Sequence, residues 1–134
     1  MIVVVLIAVA SSVASLALRD PASTTLEREG ARLAALLESA RAEARASALA
    51  AYWEPVTPTA EPGFRFVGLP PSEALPTRWL DSGVTAEVVG ARAITLGPEP
   101  LIGAQRIVLR LREQRLVLGT DGLGPFVVAD APVP

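Results

Sequence analysis

The side chains that could do chemistry in this 134-residue chain are carboxylates, serines and arginines, because the sequence contains no histidine, cysteine or lysine. Paired carboxylates can transfer protons or bind calcium, whereas a serine becomes a nucleophile only beside a base such as histidine or lysine. The carboxylates that could pair are Asp81, Glu87, Glu99, Asp121 and Asp130, and their spacing matches no known calcium loop. We therefore predict no catalytic residue, no cofactor and no metal, and a solvated role for these carboxylates.

A glycine-rich stretch, Gly-Thr-Asp-Gly-Leu-Gly, spans residues 119–124. It lacks the GxGxxG spacing of dinucleotide-binding loops, and no helical pattern follows it that would point N–H groups at a phosphate. The stretch lies between two strand-like segments. It therefore predicts a hairpin turn.

Four arginines could form a basic ribbon for a phosphate backbone: Arg106, Arg110, Arg112 and Arg115. The spacing places the first three on one side of a strand, and Arg115 begins the next strand. Few aromatic residues accompany them, and the formal net charge of the chain is -2. We interpret the four as an outward sheet face and do not expect nucleic acid as a partner.

The element that precedes all of these residues is an uncharged segment over residues 1–18. As a helix with ~1.5 Å of rise per residue it reaches about 27 Å, close to the ~30 Å hydrocarbon core of a bilayer, so we predict one membrane-spanning helix. Small residues recur four apart in it, a spacing that lets helices approach closely in lipid. We expect the anchoring and helix-packing residues to be Val3, Leu6, Ala8, Ala10, Ser11, Ser12, Ala14, Ser15 and Leu18.

A second, amphipathic helix is predicted over residues 19–49, continuing into a soluble domain. Asp20 before Pro21 is typical of a helix start, and Thr24 with Glu27 has the spacing of a capping box. The apolar stripe expected to pack on a sheet is Leu26, Leu33, Leu37, Ala40 and Ala44, with Ala48 beyond it. The charged residues expected on a solvated flank are Arg28, Arg32, Glu38, Arg41 and Arg45.

Residues 50–134 predict an antiparallel β domain of short strands separated by prolines and glycines. One hairpin joins residues 50–53 to 64–66, and the clearest hairpin joins 107–111 to 116–118. Between them, a strand over 84–89 is expected to pair with 92–96, and a final strand includes Phe126 and Val128. The predicted fold class is α+β, with a long N-terminal helix packed on a small antiparallel sheet or sandwich.

This layout resembles the type IV pilin superfamily and, within it, the minor pseudopilin H family of the type II secretion system. Besides the apolar run, the likeness is carried by the amphipathic helix over 27–48, by Gly-Pro-Glu-Pro-Leu-Ile-Gly at 97–103, and by Thr-Asp-Gly-Leu-Gly-Pro-Phe-Val-Val at 120–128. Family members carry a basic leader and a Gly-Phe-Thr-Leu-Ile-Glu motif before the apolar run. Met1 aligns just after that glutamate, so we expect it to be an internal methionine, and the family's processing and N-methylation are assigned to no residue here.

The resemblance implies a structural subunit and not an enzyme. Such a subunit is held in the bacterial inner membrane by one helix, with its globular domain in the periplasm. It joins other pseudopilins, of the filament body and tip, and an inner-membrane assembly platform in a hetero-oligomeric filament that serves protein secretion across the outer membrane. Two alternatives stay open: a type IV pilus minor pilin that binds DNA through the four arginines, and a secreted β-rich binding domain with a cleaved signal peptide.

Overall fold

A single helix, α1, runs over Pro21–Ser47 in the computed structural model of the protein, which describes residues 21–56, 63–70 and 75–129. Proline suits the first turn because an N–H there has no partner within the helix. At the other end Ala48 adopts a left-handed conformation (φ 53°) and the N–H of Leu49 bonds to the carbonyl of Ala44 at 2.9 Å. This C-cap ends the helix, so Ala48 is exposed and its expected place on the apolar stripe is wrong.

The predicted membrane helix over 1–18 and its packing residues lie outside the described residues. Within the described ranges, no helix combines the length and the apolar character needed to cross a bilayer.

Seven strands form two antiparallel sheets in the part of the chain that the structure describes. They are β1 (Ala51–Val56), β2 (Gly63–Val67), β3 (Thr85–Val88), β4 (Ile94–Gly97), β5 (Gln105–Leu111), β6 (Gln114–Thr120) and β7 (Val127–Ala129). The first sheet has the order β2-β1-β4 and the second the order β3-β5-β6-β7.

Both hairpins predicted from alternating apolar residues are confirmed. Strand β1 pairs with β2, with Trp53 opposite Phe66, and β5 pairs with β6, with Leu109 opposite Leu116. The second hairpin turns through Arg112 and Glu113, and Arg112 has φ 55°. A two-residue turn with positive φ matches the twist of the flanking strands and fixes their register.

The predicted pairing of the two middle strands is wrong. Strand β3 pairs with β5 in the second sheet, whereas β4 pairs with β1 in the first. The sheets are joined instead by Gln105, whose amide imitates a peptide group: its Nε2 donates to the Thr95 carbonyl at 2.9 Å, and its Oε1 accepts from the Thr95 N–H at 2.7 Å. A single side chain on β5 thus satisfies backbone groups of β4.

The core lies between α1 and the two sheets. Leucines of the helix meet Ile107, Leu109 and Leu118, and a cluster of Trp53, Phe64 and Trp79 fills the side of the first sheet. The protein is therefore α+β, with one helix packed on antiparallel sheets, as predicted.

Candidate functional site

One ridge of helix α1 carries leucines that pack on the sheets and charged residues that bond to loops. Glu29, Leu33, Leu37 and Arg41 follow one another at intervals of four, so they lie along one line of the helix surface. All four are buried, with Glu29 only 1% and Arg41 only 2% exposed. Two opposite charges therefore flank a pair of core leucines.

The structure places all of the residues predicted to pack the helix on the sheets in the core: Leu26, Leu33, Leu37, Ala40 and Ala44. Arg41 was expected on a solvated flank, and that expectation is wrong. Apolar periodicity assigns every arginine to solvent, but a long side chain can bury its stem and donate hydrogen bonds from its tip. The feature of the sequence that indicates its burial is spacing, because Arg41 follows Leu37 by four residues and so lies on the same ridge.

The Arg41 guanidinium is surrounded by main-chain carbonyls from two loops. Its Nη1 donates to the Gly124 carbonyl at 2.8 Å, while its Nη2 donates to the Gly122 and Pro100 carbonyls at 3.0 and 3.1 Å. A buried cation is costly unless carbonyl dipoles face it, and here they face the two terminal nitrogens, whereas Nε has no hydrogen-bond partner among the described residues. Arg41 thereby closes the loop after β4 and the loop after β6 onto the helix.

Glu38, one turn before Arg41, holds the same region through a second contact. Its Oε1 accepts the N–H of the buried Phe126 at 2.9 Å and lies 3.5 Å from Nη1 of Arg41. Helix α1 therefore binds the segment between β6 and β7 through a donor and an acceptor. We refer to Glu38, Arg41 and the carbonyls of Pro100, Gly122 and Gly124 as the Arg41 clamp.

The predicted turn at Asp121 and Gly122 lies inside this clamp. Oδ1 of Asp121 accepts the N–H groups of Leu123 and Gly124 at 2.9 and 2.8 Å. These two bonds favour the ionised form and hold the pKa of Asp121 below its ordinary value, with a smaller contribution from the charge of Arg41. The loop is thus ordered by its own side chain as well as by the helix.

A second set of helix charges holds the loop before β3. Oε2 of Glu29 accepts the N–H of Asp81 at 3.1 Å, and Nη1 of Arg32 donates to the carbonyl of Arg78 at 3.0 Å. Arg32 also lies 3.6 Å from Oε1 of Glu29. Helix α1 is therefore fastened to loops near both of its ends, and not only to the sheet cores.

The four arginines considered for nucleic acid do not form one ribbon. Arg106, Arg110 and Arg115 lie on the outward face of the second sheet, with Arg110 directly opposite Arg115. Arg112 is in the turn and not on β5, a correction that follows from β5 ending at Leu111. Nη1 of Arg110 pairs with Oε2 of Glu87 at 2.9 Å, which offsets part of the positive charge.

The carboxylates are likewise dispersed. Glu87 pairs with Arg110, Asp121 orders its own loop, and Asp130 lies outside the described residues. Across residues 21–56, 63–70 and 75–129, no three carboxylates come together in a way that could hold a metal ion.

Comparison with protein-family models, with curated proteins and with solved structures found nothing similar to this chain.

Proposed function

We propose that this protein is a minor pseudopilin of a type II secretion system, a structural subunit with a pilin-like arrangement. Residues 1–18 form its stem in the bacterial inner membrane, and the α+β head stands in the periplasm. The subunit joins other pseudopilins and the inner-membrane assembly platform in a short hetero-oligomeric filament that serves protein secretion.

The observation that supports this proposal best is the make-up of the Arg41 clamp. Three stretches of sequence carry the likeness to the pseudopilin H family, namely residues 27–48, 97–103 and 120–128. The clamp takes Arg41 from the first, Pro100 from the second, and Gly122 and Gly124 from the third. One buried contact thus joins all three stretches on which the resemblance rests.

The attachment of the helix is also suited to a subunit that is moved by its stem. The uncharged run ends at Leu18 and α1 begins at Pro21. Helix α1 is fixed to the head by its leucines, by Glu29 and by the Arg41 clamp, so a displacement of the helix carries the head with it. In the proposed filament the stem exchanges lipid for neighbouring helices, and its apolar surface never has to meet water.

The decisive experiment places a charge in the stem of the full chain in its host. Ala10→Arg costs about 3 kcal/mol for a position near the bilayer centre, so we expect the variant to leave the membrane fraction and to lose secretion. Ala10→Leu is the matched control for membrane retention, because it adds bulk without charge, and it should stay in the membrane fraction as the wild type does. Its secretion reports separately on the close helix packing expected at Ala10. Normal retention and secretion by Ala10→Arg would contradict the proposal.

The same cells distinguish the two alternatives. A mature protein that starts after Leu18 assigns the apolar run to a cleaved signal peptide and the head to a secreted binding domain. A salt-sensitive gel shift with duplex DNA that disappears when Arg106, Arg110, Arg112 and Arg115 are replaced by Gln supports a DNA-binding minor pilin.

A further inference from the structure

Strand β7 is an outer strand of the second sheet, and no strand of the described chain pairs with its far side. It reads Val127-Val128-Ala129, and the side chains of Val127 and Val128 are 55% and 45% exposed. Proteins usually protect an edge strand with a charge, a proline or a bulge, because its free N–H and C=O groups pair readily with another chain. Strand β7 has none of these three devices, and its short length of three residues is what limits such pairing.

A groove of about 560 Å³ lies along the outward face of the sheet beside this edge. Its lining includes the small or apolar residues Ala104, Gly119, Val127 and Ala129, and the charged residues Arg106 and Asp121. Gly119 lies opposite both Arg106 and Val127 in the strand register, so the missing side chain is at the centre of the groove. A Cβ at Gly119 would meet its nearest neighbours at 3.5 and 3.6 Å, which is ordinary contact.

The charges beside the groove are not equally engaged. Arg110, four residues after Arg106 on the same face of β5, pairs with Glu87. Asp121 uses one carboxylate oxygen to order its own loop. Arg106, by contrast, makes no side-chain hydrogen bond or ion pair with any described residue. The groove therefore presents one uncommitted cation beside an apolar floor and an open strand edge.

We propose that β7 and this groove bind an extended segment of a partner protein, which pairs with β7 as a further strand and lays a carboxylate side chain against Arg106. The open edge requires an extended main chain, because only that conformation aligns its N–H and C=O groups with those of β7. The small residues of the floor admit an apolar side chain next to the acidic one. This binding site goes beyond the proposed function and does not depend on it.

The probe that tests the site is a blocked peptide of alternating valine and glutamate, about eight residues long to match a short strand. Its partner peptide has lysine in place of every glutamate. Binding is measured by fluorescence anisotropy on the full chain in a zwitterionic detergent, and amide hydrogen exchange reports on β7. We expect the glutamate peptide to bind with a Kd on the order of 100 μM and to slow exchange at Val127–Ala129, and the lysine peptide to bind about tenfold more weakly.

Three variants locate the interaction. Arg106→Glu reverses the uncommitted charge and Gly119→Val fills the groove, so each should weaken the glutamate peptide about tenfold. Arg110→Glu is the matched control, because it reverses a charge on the same strand and face that Glu87 already engages, and it should leave the affinity within about twofold. Arg106 is exposed, so its variant keeps the test decisive even where Gly119→Val lowers stability.

Several results would overturn the inference. The inference is wrong if the two peptides bind equally, or if Arg110→Glu weakens binding as much as Arg106→Glu does. It is also wrong if hydrogen exchange at β7 is unchanged, because the peptide would then bind through general electrostatic attraction and not as an added strand. A dimer of the wild-type chain that Gly119→Val abolishes would assign the groove to a second copy. Tighter peptide binding after removal of residues 130–134 would assign it to the chain's own last residues. None of these results alters the outcome expected for Ala10→Arg.

Discussion

At the scale of single residues, Arg41 does the work of several contacts. Its carbonyl partners lie 59 to 83 positions away in the sequence. One side chain of the helix therefore holds two loops that are distant from it in the sequence. Arginine suits this position because its planar guanidinium presents five donors in fixed directions, whereas a lysine offers three from a single point. The choice of residue follows from the number of carbonyls that converge there.

Replacement of Arg41 by methionine should therefore destabilise the head strongly. Methionine keeps the unbranched stem but removes the guanidinium bonds, at a cost of about 3 kcal/mol. The Pro100 carbonyl then loses its donor, whereas the carbonyls of Gly122 and Gly124 keep only the Ile102 N–H and the Thr120 hydroxyl. Urea unfolding followed by circular dichroism measures the change. Arg45→Met, on the exposed last turn of the same helix, should cost less than about 1 kcal/mol. Equal losses in the two variants would show that the Arg41 clamp adds nothing to the free energy of unfolding.

Protonation of Asp121 should weaken the loop that the clamp holds. The N–H groups of Gly124 and Leu123 depress the pKa of the folded carboxyl below its unfolded value of roughly 4. The stabilisation is thus fully present above that unfolded value and is lost as the pH falls through the lower, folded pKa. Asp121→Asn should lack this acid-dependent loss. The test measures the urea midpoints of the wild type and of the variant from neutral to acidic pH, and the wild-type midpoint should fall further. Identical pH profiles would contradict the assignment.

The burial of Glu29 and Arg41 shows a limit of predicting buried residues from the sequence. The leucines and alanines of α1 were predictable because their spacing follows the helical period. The burial of Glu29 and Arg41 was not, because it depends on carbonyls and N–H groups that arrive from loops far along the chain. Charges at exact four-residue intervals from core leucines were the one indication in the sequence that they share the buried ridge.

At the scale of elements, the distance between α1 and the first sheet is set by two small residues. A Cβ on Gly97 of β4 would lie 2.7 Å from the Cβ of Ala44 on α1. Because the Cβ of alanine cannot rotate away, a larger residue at either position must push the helix off the sheet. The alanines near the end of the helix therefore serve close packing, as their sequence pattern predicts.

Gly97→Ala should test this contact. The added methyl group overlaps Ala44, and the resulting displacement should cost about 2 kcal/mol in the free energy of unfolding. Ala44→Gly alone should cost about 1 kcal/mol through helix propensity, yet in the Gly97→Ala background it removes the overlap. The double variant should thus be more stable than the sum of the single losses implies, by about 1 kcal/mol. Strict additivity would show that the two positions do not limit the approach of α1 to the sheet.

Strands were easier to predict than their partners. Alternation identified β5 and β6 and a two-residue turn fixed their register, because both signals are local. The alternation within β3 predicts a strand but does not say whether it pairs with β4 or with β5, because the choice of partner is set by contacts distant in sequence. In the observed arrangement Gln105 bonds to the backbone of Thr95 and so ties β5 to β4 across the two sheets, a contact that no local pattern predicts.

At the scale of the whole molecule, the head has a core of its own. Among the described residues, the buried apolar ones run from Ala22 to Phe126, and they include residues of α1 and of both sheets. The bond of Glu29 to Asp81 and the Arg41 clamp likewise lie within the head, the part of the chain from Pro21 onward. We therefore expect the residues from Pro21 onward to fold without the proposed stem, whose role would be attachment.

A chain that begins at Pro21 should consequently fold without its first 20 residues. We expect it to unfold in one cooperative step in detergent-free buffer, with a free energy within about 1 kcal/mol of that of the full chain in micelles, because it keeps every buried apolar residue of the described ranges. In flotation with phospholipid vesicles, the full chain should rise with the vesicles and the shortened chain should stay in the buffer, since only the former carries the uncharged run. A shortened chain that unfolds without cooperativity would mean that the core extends into residues 1–20. A shortened chain that floats as the full chain does would mean that the head itself binds lipid, and the stem would lose its proposed role as the anchor.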